Sequence, residues 1–353
     1  MNSPYTFDPL PEPVVGPGEF CFAAVGLDHG HIYGMTDGLI GAGATVTWVF
    51  DRNPEVSAAF AKRYPTARVA SSEQQILDDP EVRIVASAAI ASERAPIGLR
   101  AIEAGKHAFV DKAPLTTFAQ LDAAREATAR TGLKYAVYYG ERLHTESSIL
   151  AGQLIERGAI GRPLQVASFG PHRVGGGRPD WFYDPAQYGG ILCDIGSHNF
   201  DQILFYTGAT DGRIVSSTVA NYAHQDTPGL QDFGDAHVVL DNGASGYVRV
   251  DWFTPDGLGV FGDGRTIILG TDGYIELRKY IDIGTDNGGG QVLLVNQEGQ
   301  YRFNANGMTG FPYFGQLIRD CLDGTEIAMT QAHAFKAAEL SLQAQSAAEV
   351  LAP

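Results

Sequence analysis

The sequence predicts an α/β protein with a doubly wound parallel sheet in its N-terminal part and, after it, an α+β domain with a large, mostly antiparallel open sheet. Up to residue 140, β-rich runs alternate with helical segments of about a dozen residues, which is typical of parallel strands joined by helices. Beyond residue 161, strand-like runs follow one another, separated by short turn signals such as Asp241-Asn242-Gly243. At 353 residues the chain is longer than one hydrophobic core usually supports, so two domains are expected.

The N-terminal part starts with an arm. Residues 1–18 contain five prolines and little periodicity, which predicts an extended arm ahead of a domain at residues 19–140. Within that domain, short apolar runs predict strands over 20–26, 45–50, 83–88, 107–110 and 134–139. Helical spacing of apolar residues predicts helices over 31–41, 54–64, 96–104 and 118–130.

The second domain is expected at residues 141–353. Its predicted strands cover 164–169, 213–222, 236–240, 244–252, 265–269, 274–277 and 291–296. One predicted helix, 195–207, interrupts this series, and helices over 313–322 and 332–351 close the chain.

Charge and composition exclude several classes of protein. The chain has 41 acidic and 25 basic residues and a formal net charge of −16, which disfavours nucleic acid and anionic membranes as partners. Its three scattered cysteines suit a reducing compartment. The N-terminus has neither a basic start nor an apolar block, and no stretch reaches the roughly 20 apolar residues of a membrane helix. We therefore expect a cytoplasmic protein that binds no membrane.

The turn after the first predicted strand is where a Rossmann sheet binds the pyrophosphate of a dinucleotide. Its sequence runs Gly26-Leu-Asp-His-Gly-His, so only Gly26 falls on the glycine fingerprint, while Asp28 and His31 stand where the second and third glycines belong. A carboxylate beside a pyrophosphate is unfavourable unless Asp28 turns away, caps the helix or is offset by a histidine. We expect Gly30 and His29 to line the cofactor with these residues.

An acidic residue at the end of the second strand favours NAD. Asp51 lies 25 residues after Gly26, where its carboxylate can accept hydrogen bonds from the adenosine ribose and would repel a 2′-phosphate. The alternative is that Asp51 caps the next helix. Arg52 leaves NADP possible.

The pair His29 and His31 has a spacing that zinc sites use, but no nearby Cys or Glu completes a set of four ligands. We expect no metal here. The two imidazoles are expected to line the pyrophosphate or the open side of the nicotinamide.

Two further segments carry chemistry. Asp194, His198 and Asp201 are spaced i, i+4 and i+7, which places them on one helix face if the helix begins near Asp194. Lys112 follows the predicted strand at 107–110, at the sheet edge where such folds bind ligands.

These segments together resemble the Gfo/Idh/MocA family of oxidoreductases. The family's Glu-Lys-Pro signature is similar to Asp111-Lys112, with Ala113 inserted before Pro114. Its Gly-Gly-x-x-x-Asp-x-Gly-x-His signature is matched without gaps by Gly189, Gly190, Asp194, Gly196 and His198. The arginine that follows the family's sixth strand looks like Arg142.

The resemblance implies that the chain oxidises a secondary hydroxyl of a sugar, inositol or related polyol with NAD or NADP. Lys112, His198 and Asp194 would be catalytic, and Asp111, Lys112 and Arg142 would join the cofactor site. His198, with an ordinary pKa near neutrality, is a candidate base, and Lys112 would stabilise negative charge on the oxygen. Lys112 is also a candidate base, and the sequence does not separate the two.

Polar and aromatic residues of the second domain are candidates for the substrate pocket: His172, Arg173, Asp180, Trp181, Tyr183 and Trp252, in addition to Lys112, Asp194 and His198. Two other functions remain open at this point. One is a redox-neutral enzyme that retains NAD and oxidises a glycoside transiently, and the other is a non-catalytic regulator that senses NAD or a sugar. By analogy with the family, the open sheet is expected to pair with another subunit in a homodimer or homotetramer.

Overall fold

The computed structural model describes residues 4–285 and 288–352. Contacts divide the chain into two compact units. The first unit comprises Pro11–Tyr138 and Pro312–Phe335, and the second comprises Met1–Leu10, Tyr139–Phe311 and Lys336–Pro353. These units differ from the continuous ranges expected from the sequence, because the N-terminal arm is shared and a late helix packs with the first unit.

The first unit contains a parallel sheet of six strands in the order β3-β2-β1-β4-β5-β6. Its strands are β1 Cys21–Val25, β2 Thr45–Phe50, β3 Arg68–Val69, β4 Val82–Ser87, β5 His107–Asp111 and β6 Tyr135–Tyr138. The helices between them are α1 His31–Gly41, α2 Pro54–Arg63, α3 Glu73–Asp78, α4 Ala91–Glu103 and α5 Phe118–Thr131. The doubly wound sheet predicted from the alternating pattern is therefore confirmed.

Strand burial follows from sequence in this unit. All five residues of β1, Cys-Phe-Ala-Ala-Val, are buried, as are the four of β6. Strands with this composition suit the interior of a parallel sheet that is covered on both faces. The two short elements β3 and α3 were not predicted, since two and six residues are too few to show a period.

Helix α4 begins five residues before its predicted start and has Pro96 inside it. Proline cannot donate the N–H that would bond the carbonyl of Ser92 one turn earlier. The side chain of Gln120 on α5 makes up for this loss, because its Nε2 donates to the Ser92 oxygen at 2.9 Å.

The second unit contains a sheet of nine strands in the order β14-β13-β12-β11-β7-β10-β9-β8-β15. Its strands are β7 Pro163–Pro171, β8 Gly212–Ala220, β9 Phe233–Leu240, β10 Ser245–Asp251, β11 Arg265–Gly270, β12 Gly273–Arg278, β13 Gln291–Asn296, β14 Gly299–Asn304 and β15 Glu349–Val350. Neighbours are antiparallel except for β7 with β10 and β8 with β15. This confirms the predicted, mostly antiparallel sheet.

The remaining helices of the chain are α6 Gly140–Leu143, α7 Glu146–Glu156, α8 Pro185–Tyr188, α9 Ile191–Asp194, α10 Gly196–Thr207, α11 Pro312–Asp323 and α12 Gln331–Ala347, with a 3₁₀ turn at Asp180–Tyr183. Helix α10 packs on β7 and β10 and buries 11 of its 12 residues. It starts at Gly196, one residue after the predicted start, and Ile195 between it and α9 has helical backbone angles. Asp194 ends the preceding short helix, α9.

Helix α11 belongs to the first unit because its aromatic face fills the space beside α1 and the sheet. The Phe314 ring lies so close to Gly38 of α1 that an added Cβ would stand 2.2 Å from it. The Phe314 and Phe109 rings meet edge to face at 6.3 Å between centroids. Among the described residues, no helix is both long and apolar enough to cross a membrane.

Candidate functional site

The carboxyl edge of the six-stranded sheet brings together the residues that follow β1, β2 and β5. Strand order reverses between β1 and β4, which is where such sheets form a ligand-binding crevice. Gly26 turns the chain at this point with φ of 69°. A Cβ there would lie 2.7 Å from the Cβ of Ala89, so only glycine fits.

Asp28 turns toward the start of α4. The N–H of Ile90 donates to its Oδ2 at 3.2 Å. Desolvation, followed by the negative charge of Asp51, raises the pKa of Asp28. Of the three arrangements that the sequence left open for this carboxylate, the structure shows the first: Asp28 turns away from α1 and bonds the residue that precedes α4.

Asp51 stabilises the glycine turn directly. Its Oδ2 accepts the N–H of Leu27 at 2.7 Å, and its Oδ1 accepts the N–H of Asn53 at 2.8 Å. Asn53, and not Asp51, caps α2, because the Asn53 side chain accepts the N–H of Glu55 at 3.0 Å. The helix-cap alternative for Asp51 is therefore wrong.

Arg52 is an exposed side chain in an ion pair with Glu93, at 2.8 Å between Nη2 and Oε2. Hydrogen bonding to Glu93 and its charge raise the pKa of Arg52. The guanidinium is therefore partly neutralised by a carboxylate of α4.

Asp111, at the end of β5, is the centre of a buried polar cluster. Its Oδ2 lies 2.7 Å from His29 Nδ1 and 3.2 Å from Arg94 Nη2. Its Oδ1 lies 2.8 Å from His31 Nδ1 and accepts the N–H of Lys112 at 2.8 Å. Burial by itself would raise the pKa of Asp111, but His31, Arg94 and His29 hold it well below its usual range. The carboxylate is therefore ionised and surrounded by donors on both oxygens.

Sequence reasoning missed Arg94. Its buried guanidinium also binds the carbonyls of Ala89, at 2.7 Å, and of Lys112 and Ala113. It therefore joins the end of β4 to the segment that carries Lys112. Lys112 is itself 5% exposed, and the Lys112–Ala113 peptide is cis. The only signal for Arg94 was its position in α4, whose predicted start lay two residues beyond it.

The same cluster bears on metal binding. One ligand atom each from His29, His31 and Asp111 lies within 4.8 Å of the others, so the structure supplies a third group that the sequence did not reveal. A carboxylate has about four lone-pair positions, and those of Asp111 already face four nitrogen donors. A cation would have to displace these donors, so the arrangement is that of a hydrogen-bonded cluster.

In the second unit, His198 lies in the first turn of α10 and is 2% exposed. The Tyr139 ring meets it edge to face at 6.4 Å between centroids, and Gln202 Nε2 donates to its backbone oxygen at 3.0 Å. Asp194 lies four residues earlier and interacts with the charge of Arg178: burial lowers the pKa of Arg178, while Asp194 opposes that shift.

A buried ion pair in this unit also escaped sequence reasoning. Lys279 Nζ donates to Glu141 Oε2 and to Gln202 Oε1, each at 2.8 Å, and the Lys279 side chain is fully buried. His172 Nε2 lies 3.8 Å from Glu141 Oε1. Burial would raise the pKa of Glu141, but Lys279, then His198 and His172, hold it far below its usual range.

Arg142 forms a second buried ion pair. Its Nε and Nη2 donate to the two oxygens of Asp201 at 2.6 and 2.7 Å. Its guanidinium also lies over the Phe205 ring, 4.3 Å from the centroid. Within the second unit, the contacts of Arg142 thus hold α6 against α10, and its expected role at the cofactor stays a prediction.

The predicted pocket residues fall into two groups. His172 and Trp252 belong to an aromatic cluster, with ring centroids 5.6 Å apart, and Phe261 lies 5.4 Å from His172. Phe182, 5.0 Å from Trp252, carries Arg178 on its face. Trp181 and Tyr183 flank Phe182, with ring centroids 6.2 and 5.3 Å away.

Arg173 belongs to the other group. Its Nη2 donates to the carbonyls of Pro255 and Leu258, each at 2.7 Å, and of Val260 at 3.2 Å. This arginine therefore stabilises the loop at 255–260. Asp180 is exposed and opens the 3₁₀ turn.

Comparison with known families places the chain in a class. Residues 14–139 match the model of an oxidoreductase family with an NAD-binding Rossmann fold. Residues 149–276 match the GFO/IDH/MocA C-terminal domain. The chain therefore belongs to the Gfo/Idh/MocA family of oxidoreductases, which confirms the resemblance seen in its signatures.

Individual relatives agree with this assignment. A crystal structure of a protein classed as an oxidoreductase from Erwinia carotovora atroseptica SCRI1043 is 49% identical, with a TM-score of 0.92, over 95% of this chain and all of that one. The scyllo-inositol 2-dehydrogenase (NAD(+)) of Bacillus subtilis strain 168 is 24% identical over 70% of each chain. Levoglucosan dehydrogenase of Pseudarthrobacter phenanthrenivorans is 30% identical over 45% of this chain, and the match covers 42% of that enzyme's length.

Proposed function

We propose that the protein is an NAD-dependent dehydrogenase that oxidises a secondary hydroxyl of a sugar, inositol or related polyol. The observation that carries this proposal is the position of Lys112 directly after β5, at the carboxyl edge of the sheet that matches an NAD-binding domain. The names of the relatives, an inositol dehydrogenase and a levoglucosan dehydrogenase, support a polyhydroxylated substrate.

The first unit fits a dinucleotide. Gly26 makes the tight turn after β1 against Ala89, and α1 starts five residues later with its N–H groups at that edge. Asp51 supplies carboxylate oxygens at the end of β2. Bound NAD⁺ would supply the hydride acceptor, and the carboxylate of Asp51 disfavours the extra phosphate of NADP, while the charge of Arg52 is paired with Glu93.

The roles of the catalytic candidates follow from elementary chemistry. Oxidation of an alcohol to a ketone removes a hydride from the carbinol carbon and a proton from its hydroxyl. His198 is the proposed acceptor of that proton. Lys112 is proposed to stabilise the developing negative charge on oxygen with its ammonium, and it remains the alternative base. Asp194 is proposed to accept a hydrogen bond from a neighbouring hydroxyl of the substrate.

Calorimetric titration of the purified protein with NAD⁺ and, in parallel, NADP⁺ tests the cofactor part of this proposal. Binding that is tighter for NAD⁺ supports it and justifies a turnover screen of inositols, aldoses and anhydrosugars followed by NADH absorbance. If neither dinucleotide binds and the purified protein carries no retained cofactor, the proposed function is refuted.

We further propose that the chain forms a homodimer or homotetramer through the nine-stranded sheet. Large apolar side chains on β9, β11 and β12 are exposed, among them Val239, Ile267, Leu269 and Tyr274. Leu269 and Tyr274 pair directly across β11 and β12, so they lie on the same face. Exposed apolar patches of this kind mark interaction surfaces. A monomer mass by light scattering at micromolar concentration would refute this proposal.

A further inference from the structure

The buried carboxylate of Asp111 has no capacity left for a ligand. His29 Nδ1 and Arg94 Nη2 surround its Oδ2 at 2.7 and 3.2 Å. His31 Nδ1 and the N–H of Lys112 surround its Oδ1, each at 2.8 Å. The side chain is 0% exposed, and a carboxylate accepts at about four positions. The cofactor contact that the family resemblance implied for Asp111 is therefore blocked by the protein's own donors.

This arrangement determines the tautomer of His29. An ionised carboxylate only accepts hydrogen bonds, so His29 Nδ1 must donate to it. In the neutral ring the lone pair then lies on Nε2. Burial, and then the neighbouring His31, lower the pKa of His29 to about 4, so the ring is neutral at pH 7. With 26% of its side chain exposed, His29 is accessible to a ligand at this edge.

The location of His29 indicates which half of the dinucleotide it meets. It lies in the turn between β1 and α1, and its N–H donates to the carbonyl of Ala88, just after β4, at 2.8 Å. Its imidazole points to Asp111 on β5. Asp51, by contrast, follows β2 on the other side of the strand-order reversal. A dinucleotide that lies across such a crevice, with its adenosine at Asp51, has its nicotinamide half on the side of β4 and β5.

We propose that His29 binds the nicotinamide half of the dinucleotide and that Asp111 positions His29. In this contact, Nε2 of His29 accepts a hydrogen bond from a neutral donor, which is either a hydroxyl of the nicotinamide ribose or the carboxamide N–H. The proposal rests on the NAD-dependent function proposed above. It assigns to an imidazole in the glycine turn a contact that the carboxylate of β5 is not able to make.

Calorimetric titration of the wild-type and His29→Ala proteins with four probes tests the contact: ADP, ADP-ribose, NAD⁺ and nicotinic acid adenine dinucleotide. Loss of one hydrogen bond should weaken NAD⁺ binding roughly five- to tenfold and leave ADP binding unchanged. An equal loss for ADP-ribose identifies the ribose hydroxyl as donor. If the affinity falls for NAD⁺ but not for ADP-ribose or nicotinic acid adenine dinucleotide, which lacks the carboxamide N–H, the donor is the carboxamide.

Two results would overturn the contact: unchanged binding of every probe, or an equal loss for ADP, which would place His29 at the adenosine diphosphate. His107→Asn is the matched control. His107 begins β5, at the opposite end of the strand from Asp111, and its Nδ1 accepts the N–H of Lys134 at 2.9 Å. This variant should bind all four probes like the wild type. If the wild type itself binds no NAD⁺, the proposed function fails, which is a distinct result.

A double-mutant cycle tests the positioning role of Asp111. Asp111→Asn should weaken NAD⁺ binding in the wild-type background and have little further effect in the His29→Ala background, with ADP binding unchanged in both. Equal losses in the two backgrounds would refute positioning through His29. Where Asp111→Asn does not fold, because Arg94 is left without its carboxylate, the same cycle is run with Asp111→Glu, and the His29→Ala titrations still decide the contact.

Discussion

Replacement of Lys279 by methionine should destabilise the second unit strongly at neutral pH. The variant keeps the apolar stem but removes the ammonium that donates to Glu141 and Gln202 at 2.8 Å. Glu141 would then be a carboxylate buried without its counter-charge. Removing one partner of a buried ion pair typically costs about 3–5 kcal/mol, so we expect a loss in this range in the free energy of unfolding.

The pH dependence of this loss has a definite sign. In the wild type, the folded-state pKa of Glu141 is depressed, so the pair stabilises the fold above the unfolded-state pKa and loses that contribution as the pH falls through the folded-state pKa. In Lys279→Met, burial without the ammonium should raise the folded-state pKa above the unfolded value. The difference in stability between the two proteins should therefore be largest near pH 7 and shrink toward pH 4.

Urea-induced unfolding followed by tryptophan fluorescence measures this difference, since Trp181 and Trp252 both lie in the second unit. Lys336→Met is the matched control in the same unit, because Lys336 pairs with the exposed Asp211 at 2.9 Å on the surface, where an ion pair contributes about 0.2–1 kcal/mol. The double variant Lys279→Met, Glu141→Leu should regain part of the stability by removing the unpaired charge. A loss below about 1 kcal/mol at pH 7, or one that does not change with pH, would refute the reasoning.

Three further predictions concern the proposed active site. Gly26→Ala should lower the free energy of unfolding by about 1–3 kcal/mol and weaken NAD⁺ binding, because the φ of Gly26 is 69° and an added Cβ would lie 2.7 Å from that of Ala89. Gly30→Ala is the control and should fold normally, since an added Cβ there meets no atom within 4 Å. Thermal melts and calorimetry compare the two variants, and equal stabilities would contradict the prediction. Asp51→Ala should weaken NAD⁺ binding, since it removes the carboxylate that accepts the N–H of the glycine turn. It should also narrow the preference for NAD⁺ over NADP⁺, because the negative charge that disfavours the extra phosphate is lost. Parallel titrations with the two dinucleotides measure the affinity ratio, and an unchanged ratio would exclude a contact of Asp51 with the ribose. His198→Asn should reduce kcat about 10²- to 10⁴-fold, because it removes the proposed acceptor of the hydroxyl proton, and should leave the NAD⁺ dissociation constant within about twofold of the wild type. Stopped-flow NADH absorbance measures kcat, and calorimetry measures the dissociation constant. An unchanged kcat would leave Lys112 as the base.

Local patterns were sufficient for the parallel sheet and its edge. Five strands of this sheet are short, mostly apolar runs, and each run predicts a buried strand without information from the rest of the chain: β1, β2, β4, β5 and β6. The Gly-Gly-x-x-x-Asp-x-Gly-x-His signature is likewise contiguous. Sequence alone could therefore indicate the fold class, the family and the segments that carry Lys112, Asp194 and His198.

Local patterns failed where an element was short or its composition was mixed. The seven predicted strands of the second unit are present. Strand β14, Gly299–Asn304, was not predicted because only Tyr301 and Phe303 among its six residues are apolar. Helix α7, Glu146–Glu156, also went unpredicted, since it contains Ser147, Ser148 and Gly152 among its apolar positions. Neither omission changes the location of the candidate site residues.

The sequence by itself determined the two sheets, the family and which residue types are available for chemistry, because periodicity and signatures are properties of neighbouring residues. Only the tertiary structure decided which side chains pair. Asp111 meets His29 from 82 residues away and Arg94 of helix α4, and Glu141 meets Lys279 from 138 residues away. These pairings depend on strand order and register, which bring distant segments together. For that reason the carboxylate of Asp111, which the sequence offered to a cofactor, accepts its hydrogen bonds from groups of the protein itself.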